Sequence, residues 1–114
     1  MKISVIGSRG FNNLALLEQK LDTFKSRIVE LISGGAKGAD TYAEAWAIAN
    51  NVPVTLFKPD WKKYGRAAGV KRNKQIIESC DYCIAFWDGK SKGTASSLKF
   101  CKQLKKPFEI VTIN

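Results

Sequence analysis

Five short apolar runs, spaced by stretches with helical periodicity, most strongly constrain what this sequence can become. Residues 2–6, 28–33, 52–57, 82–87 and 108–113 are rich in Val, Ile, Leu and Phe, the pattern of strands covered on both faces of a parallel sheet. Between them, Leu14, Leu17, Leu21 and Phe24 recur at steps of three and four, as do Ala39, Tyr42, Ala43, Trp46 and Ala47. Val70, Ile77 and Cys80 mark a third stripe, and Leu98, Cys101 and Leu104 a fourth. Strands and helices that alternate through short connections make right-handed crossovers and place helices on both sheet faces. The expected fold is therefore α/β, a three-layer α/β/α sandwich around a five-stranded parallel sheet. Its expected strand order is 3-2-1-4-5, with the flavodoxin-like order as the alternative.

With 114 residues, the chain has room for one domain and none for a second; folding at this length buries roughly 60–70% of the unfolded surface. Apolar residues at 45% and charged residues at 25% exclude a disordered or fibrous chain. The opening apolar run stops at Gly7-Ser8-Arg9, too soon for a signal peptide, and reads as a strand. No stretch approaches the ~20 apolar residues of a membrane span, so a cytoplasmic location without a membrane partner is expected.

Cys80, Cys83 and Cys101 cannot all pair with one another, and a secreted disulfide scaffold of this size carries more cysteines. Cys80 and Cys83 have C-x-x-C spacing, but they fall where a helix ends, whereas redox pairs are activated where one begins. Without histidine, a structural zinc site is poorly supplied, and no metal ligand is expected. The three thiols are expected to be buried and inert.

Nineteen basic residues against ten acidic ones give a net charge of +9. Lys62, Lys63, Arg66, Lys71, Arg72 and Lys74 lie between Asp60 and Glu78 with no acid among them. A phosphate or polyanion is the natural partner of such a stretch; a solvated face that only aids solubility is the alternative.

In a parallel sheet the carboxyl ends of all strands lie at one edge, and ligands bind where the strand order reverses. That edge receives Gly7-Ser8-Arg9-Gly10, Gly34-Gly35-Ala36-Lys37-Gly38-Ala39-Asp40 and Asp88-Gly89-Lys90-Ser91-Lys92-Gly93-Thr94. The opposite edge carries plain turns, such as Asn50-Asn51 and Lys105-Lys106-Pro107. Each glycine loop is expected to lead into a helix whose first amides lack internal partners and whose dipole favours an anion. Neither the P-loop pattern nor G-x-G-x-x-G is present, and any one of these loops alone reads equally as a tight turn.

The third connection at this edge, 58–65, is long enough for a lid. Its Trp61, or Tyr64, either stacks on a base or plugs the end of the sheet. Asn73 falls on the apolar stripe of its helix and needs a hydrogen-bond partner, in a ligand or in a neighbouring carbonyl. Arg72 presents a planar fork to phosphate or carboxylate. Asp40 either stabilises the start of its helix or contacts a ligand hydroxyl.

In order along the chain, GSRGF at 7–11, SGGAKGAD at 33–40, PDWKKYGRAAGVKRN at 59–73 and AFWDGKSKGT at 85–94 resemble the YspA-like, YpsA-related branch of the SLOG superfamily. The resemblance covers nearly the whole chain. It implies one Rossmann-like, SLOG-type nucleotide-binding domain over 1–114, and a nucleotide or nucleotide-derived ligand. It supports Gly7, Ser8, Arg9, Gly34, Gly35, Asp40, Arg72, Asn73, Ser91, Gly93 and Thr94 as ligand-binding residues; the loop reading adds Lys37, Gly38, Trp61 and Asp88. Relatives include the LOG phosphoribohydrolases, the DNA-uptake protein DprA, molybdenum-cofactor carriers and sensors of ADP-ribose-type ligands. Most are proposed to work as dimers or larger assemblies, so a homo-oligomer is expected.

One departure from that family matters. Phosphoribohydrolases resemble G-G-x-G-T-x-x-E at the last loop, where this chain has Ser97 in place of the glutamate. Serine supplies no carboxylate for an N-glycosidic bond. The expected function is thus binding, as a sensor, carrier or sequestering protein for an ADP-ribose-like molecule, cyclic nucleotide or nucleoside monophosphate, with no cofactor required. Alternatives are a phosphoribohydrolase-type enzyme in which Asp40, Asp60 or Asp88 substitutes, and DprA-like nucleic-acid binding through 62–74. In the binding reading, Arg9 and the amides of 34–38 and 91–94 hold phosphate. Replacing Arg9 or Arg72 with Ala should then weaken binding without changing the stability of the empty protein.

Overall fold

The computed structural model describes residues 1–113. Its strands are β1 (Lys2–Gly7), β2 (Glu30–Ser33), β3 (Val54–Leu56), β4 (Tyr82–Trp87) and β5 (Phe108–Thr112). All four pairings are parallel, in the order β3-β2-β1-β4-β5, which is the order expected from the sequence. The order reverses between β1 and β4, whose register sets Val5 beside Ile84 and Gly7 beside Phe86.

Helices α1 (Leu14–Asp22) and α2 (Ala39–Ala49) cover one face of the sheet; α4 (Ala68–Ser79) and α5 (Lys92–Gln103) cover the other. A short helix, α3 (Trp61–Tyr64), and one 3-10 turn (Gly65–Ala67) precede α4. Side chains alternate across each strand, and this splits the core in two. Ile3, Val5, Leu31, Ile84 and Phe86 pack under α1 and α2 against Leu17, Leu21 and Trp46. Ile6, Ile32, Cys83 and Ala85 pack under α4 and α5 against Ile76, Ile77, Leu98 and Cys101. Each large side chain buried in this way contributes roughly 1.5–3 kcal/mol.

Two expected strands are shorter than the sequence suggests. Ile28 is buried, but its amide bonds to the Phe24 carbonyl in the turn after α1, so β2 starts at Glu30. At the sheet edge β3 pairs only with β2 and keeps three residues. The third helical stripe is also corrected: Val70 is half exposed, and Ile76 joins Ile77 and Cys80 in the core under α4. Val70 shares the helical face of Ile77 but lies about two turns nearer the N-terminus and joins neither core cluster. Leu14 and Leu104, at the ends of their stripes, are likewise exposed.

All three cysteines are free and buried, as expected. Cys80 ends α4, where its thiol contacts the Ile77 carbonyl and accepts from Ser4 Oγ at 3.4 Å. Burial pushes the Cys80 thiol up, which disfavours the reactive thiolate. No described helix is long and apolar enough to cross a membrane.

Candidate functional site

The site begins where β1 ends. A side chain at Gly7 would meet the Ala39 Cβ and the Phe86 carbonyl, both at 2.7 Å, so only glycine lets α2 start this close to the sheet. Ser8 extends the ladder by one hydrogen bond, its amide donating to the Phe86 carbonyl at 3.1 Å. Its side chain is then drawn in at the switch point. Ser8 is 5% exposed, and its Oγ makes no fully formed hydrogen bond in the described structure, although it lies near enough to the Asp88 carboxyl to help hold that group down. Such a group costs about 1–3 kcal/mol if it stays unsatisfied.

Gly38 lets the second loop lie close against the first. It has φ 82° and ψ −127°, a region open in practice only to glycine. A Cβ there would sit 2.5 Å from the Ser8 carbonyl oxygen and 2.7 Å from that of Arg9.

A cleft of about 350 Å³ opens over this junction, between the second loop, α4 and the start of α5. It brings together Gly7, Ser8, Arg9, Asp40, Arg72, Asn73, Asp88, Ser91, Gly93 and Thr94, ten residues that the sequence singles out. Ile6 and Ile76 add apolar surface, and Ser97 is buried at its side. The α5 N-terminus faces the cleft with no side-chain cap and no acidic residue in its first turn. Gly93 has open space where a side chain would be. Asp88 Oδ1 accepts the amides of Lys90 and Ser91, each at 2.8 Å, which shapes the turn into α5. Those bonds hold the Asp88 carboxyl below its ordinary range.

Asp40 and Arg72 meet across Gly34. Asp40 Oδ2 accepts the amides of Gly34 and Ala36, both at 3.2 Å. Arg72 donates from one guanidinium nitrogen to the Gly34 carbonyl at 2.8 Å, and from Nε to Asn73 Oδ1 at 3.0 Å. A Cβ at Gly34 would lie 2.7 Å from that guanidinium. Burial pushes the Asp40 carboxyl up to about 6, although the Ala36 amide and the Arg72 charge oppose the rise. Burial also lowers Arg72, and nearby Arg9 adds to the effect.

These bonds revise several expectations. The amides of Gly34 and Ala36 are taken by Asp40, and that of Gly35 by Ser33 Oγ, so this loop does not present them to a ligand. Gly34, Gly35, Lys37 and Gly38 do not line the cleft; Ala36 and Asp40 do. Asn73 has its partner in Arg72, and Asp40 braces the preceding loop as well as facing the cleft. The first glycine loop does not offer the amides of its helix, because α1 starts only at Leu14 and Asn13 caps it, accepting from the Leu16 amide. Trp61 is 60% exposed on α3, away from the cleft, with its ring edge over Gly69. It is no plug. Asp60 caps α3 and is also remote from the cleft.

A second hollow, of about 450 Å³, lies on the α1 side of Ser8 and Asp88 and is also lined by Asn12, Asn13, Phe11, Leu16 and Thr112. Its α1-side wall was not singled out from the sequence. The signal was the Asn12-Asn13 pair after the first glycine loop, which reads as a helix start but not as a wall. Among the described residues, no cluster of three or more Cys, Asp or Glu is placed to hold a metal ion.

Against known proteins, the family described as YspA, cpYpsA-related SLOG (YAcAr) matches residues 1–64. The Gene 61 protein of Mycobacterium phage D29 is 37% identical over 75 residues, covering 60% of this chain and 60% of that protein. Among solved structures, DNA processing protein A (DprA) from Streptococcus pneumoniae superposes with a TM-score of 0.83 at 18% identity, over 99% of this chain and 50% of that one. DNA processing protein A from Helicobacter pylori, described for its single-stranded DNA binding mode, gives 0.80 at 18% identity, over 100% and 66%. At such identities the likeness is one of fold. The chain thus spans about half to two thirds of the length of these proteins.

Proposed function

Because the chain belongs to the YspA, cpYpsA-related SLOG family, we propose that its cleft binds a nucleotide or nucleotide-derived small molecule by a phosphate seated at the start of α5. The observation that carries this reading is the uncapped start of α5 in a cleft that also holds Arg9, Arg72 and the buried Ser8 Oγ, which makes no fully formed hydrogen bond. A phosphate oxygen there accepts from the Ser8 hydroxyl and the first α5 amides while Arg9 supplies charge. Arg72, Asn73 and Asp40 are left to face the sugar or base. Binding without turnover fits the buried Ser97, which brings no carboxylate to the cleft.

Calorimetry with AMP, ADP-ribose and inorganic phosphate tests the idea. Arg9 is exposed, so Arg9→Ala should weaken phosphate-dependent binding about tenfold, the value of one charge-assisted hydrogen bond, and leave folding intact. Absence of binding by all three compounds to the wild-type chain rejects the reading.

A second reading, single-stranded nucleic acid as ligand, rests on a separate surface. Trp61 is exposed, and the Tyr64 ring carries Lys63 Nζ at 5.1 Å and Lys71 Nζ at 4.7 Å from its centroid. Aromatic faces among lysines suit stacked bases and a phosphate backbone. A labelled oligothymidine should then bind in a strongly salt-dependent way and lose affinity in Trp61→Ala. Retention equal in wild type and variant removes this reading.

A further inference from the structure

At the edge of the sheet opposite β3, β5 pairs with β4 on one side and with no described strand on the other. The Cys83 amide donates to the Pro107 carbonyl at 3.1 Å, and the Ile113 amide to the Trp87 carbonyl at 3.0 Å. Main-chain groups alternate in direction along a paired strand, so residues 107, 109, 111 and 113 face β4. The amides and carbonyls of Phe108, Ile110 and Thr112 therefore point out of the free edge, a template for a further strand. Beside that edge, on the α5 face, lies a hollow of about 390 Å³ walled by Trp87, Leu98, Phe108 and Ile110. Trp87 donates its indole N–H to the Ser91 carbonyl at 3.1 Å, so its ring gives the hollow apolar surface. Ile110 is 44% exposed. The charged residues among the described lining are Lys99 and Lys102, both exposed on α5, with no acid beside them.

We propose that the β5 edge docks an extended segment of a partner protein, one that carries apolar and acidic side chains on the same face. The segment adds one more strand to the sheet, exchanging main-chain hydrogen bonds with Phe108, Ile110 and Thr112. Its alternate side chains enter the hollow, where apolar ones meet Trp87, Leu98 and Ile110 and carboxylates meet Lys99 and Lys102. A second copy of the chain fits less well. An antiparallel pair of β5 strands about a two-fold axis places both α5 helices on one side of the joint sheet. Lys99 and Lys102 are then brought toward their own counterparts, between molecules of net charge +9. An acidic segment meets no such repulsion.

Fluorescence anisotropy tests this with a short labelled peptide that has glutamate, leucine, leucine and glutamate at alternate positions and threonine between them. Two control peptides carry lysine in place of glutamate, or serine in place of leucine. The chain should bind the first peptide about tenfold or more tighter than either control. Ile110→Pro removes an outward amide but no hydrogen bond to β4, and an edge strand tolerates proline there. It should weaken the first peptide about tenfold. Lys99→Glu combined with Lys102→Glu changes exposed residues only and should reverse the preference between the acidic and basic peptides. Circular dichroism verifies that each variant folds. Failure of the wild type to bind the acidic peptide, or equal binding of the acidic and basic ones, overturns the proposal. An unchanged preference in the double variant also overturns it, whatever becomes of Ile110→Pro. A dimer in light scattering that Ile110→Pro breaks assigns the edge to a second copy and overturns it as well. None of these residues lines the phosphate cleft, so failure here leaves the phosphate reading standing.

Discussion

Asp40 provides the sharpest check on how the cleft is built. Its carboxyl is 7% exposed, accepts two backbone amides, and titrates at about 6 in place of 3.8 because burial disfavours the charge. In the unfolded chain it returns to its ordinary value. Between pH 3.8 and about 6 the native state therefore binds more protons than the unfolded one, so the contribution of Asp40 to stability rises as pH falls through that window. Above pH 6 the full penalty of a buried charge applies; below 3.8 none remains. At about 1.36 kcal/mol per pKa unit, the gap between 3.8 and about 6 amounts to about 3 kcal/mol. Asp40→Asn removes the titration and keeps an oxygen to accept the Gly34 and Ala36 amides. Urea unfolding of both proteins across roughly pH 4–8 isolates the term, because every other group cancels in the difference. The variant should be the more stable by up to about 3 kcal/mol above pH 6, with its advantage shrinking toward pH 4. A difference that is flat with pH, or that grows as pH falls, refutes this account of the cleft.

Gly38→Ala should lower stability by at least about 2 kcal/mol in urea unfolding, from backbone strain at φ 82° and collision with two carbonyls. Arg72→Ala should cost about 1–3 kcal/mol even in the empty protein, because the Gly34 carbonyl loses its donor, while Arg9→Ala stays within about 0.5 kcal/mol. This replaces the sequence-based expectation that both arginines are neutral for folding. A thiol reagent should react slowly with the native chain and label all three cysteines quickly once urea unfolds it. Chromatography after incubation with nucleoside monophosphates should show no released base; release that Asp40→Asn abolishes would make the chain an enzyme.

The parallel sheet with helices on both faces and the gathering of glycine loops at one edge were legible because each follows from local pattern and chain connectivity. The strand order, although it came out as favoured, was not fixed in this way, since the flavodoxin-like order fits the same alternation of elements. Nor was the amide engagement around Asp40 legible. Loop amides are equally free on paper whether they face a guest or a carboxylate from the next helix, and only the fold decides. Arg72 reaches Gly34 across 38 positions of sequence, so its bracing role leaves no local trace. Trp61 failed for a different reason. An aromatic in a long connection has no periodicity to fix its direction, and on the four-residue α3 Trp61 is exposed. Val70 shows the limit of a stripe, which gives the face of a helix but not which of its residues join the core.

The main-chain contact of Gly38 with Ser8 and Arg9 has a consequence for how a guest is admitted. No side chain fits between the two segments, and the amides of Gly34 and Ala36 are already bound to Asp40, so this corner is a vessel shaped before anything enters it. Capture should demand little fresh ordering of the chain, and empty and filled forms should superpose closely there. Retooling for a new guest would then proceed by exchanging side chains at the rim, Arg9 among them, while the glycines stay fixed.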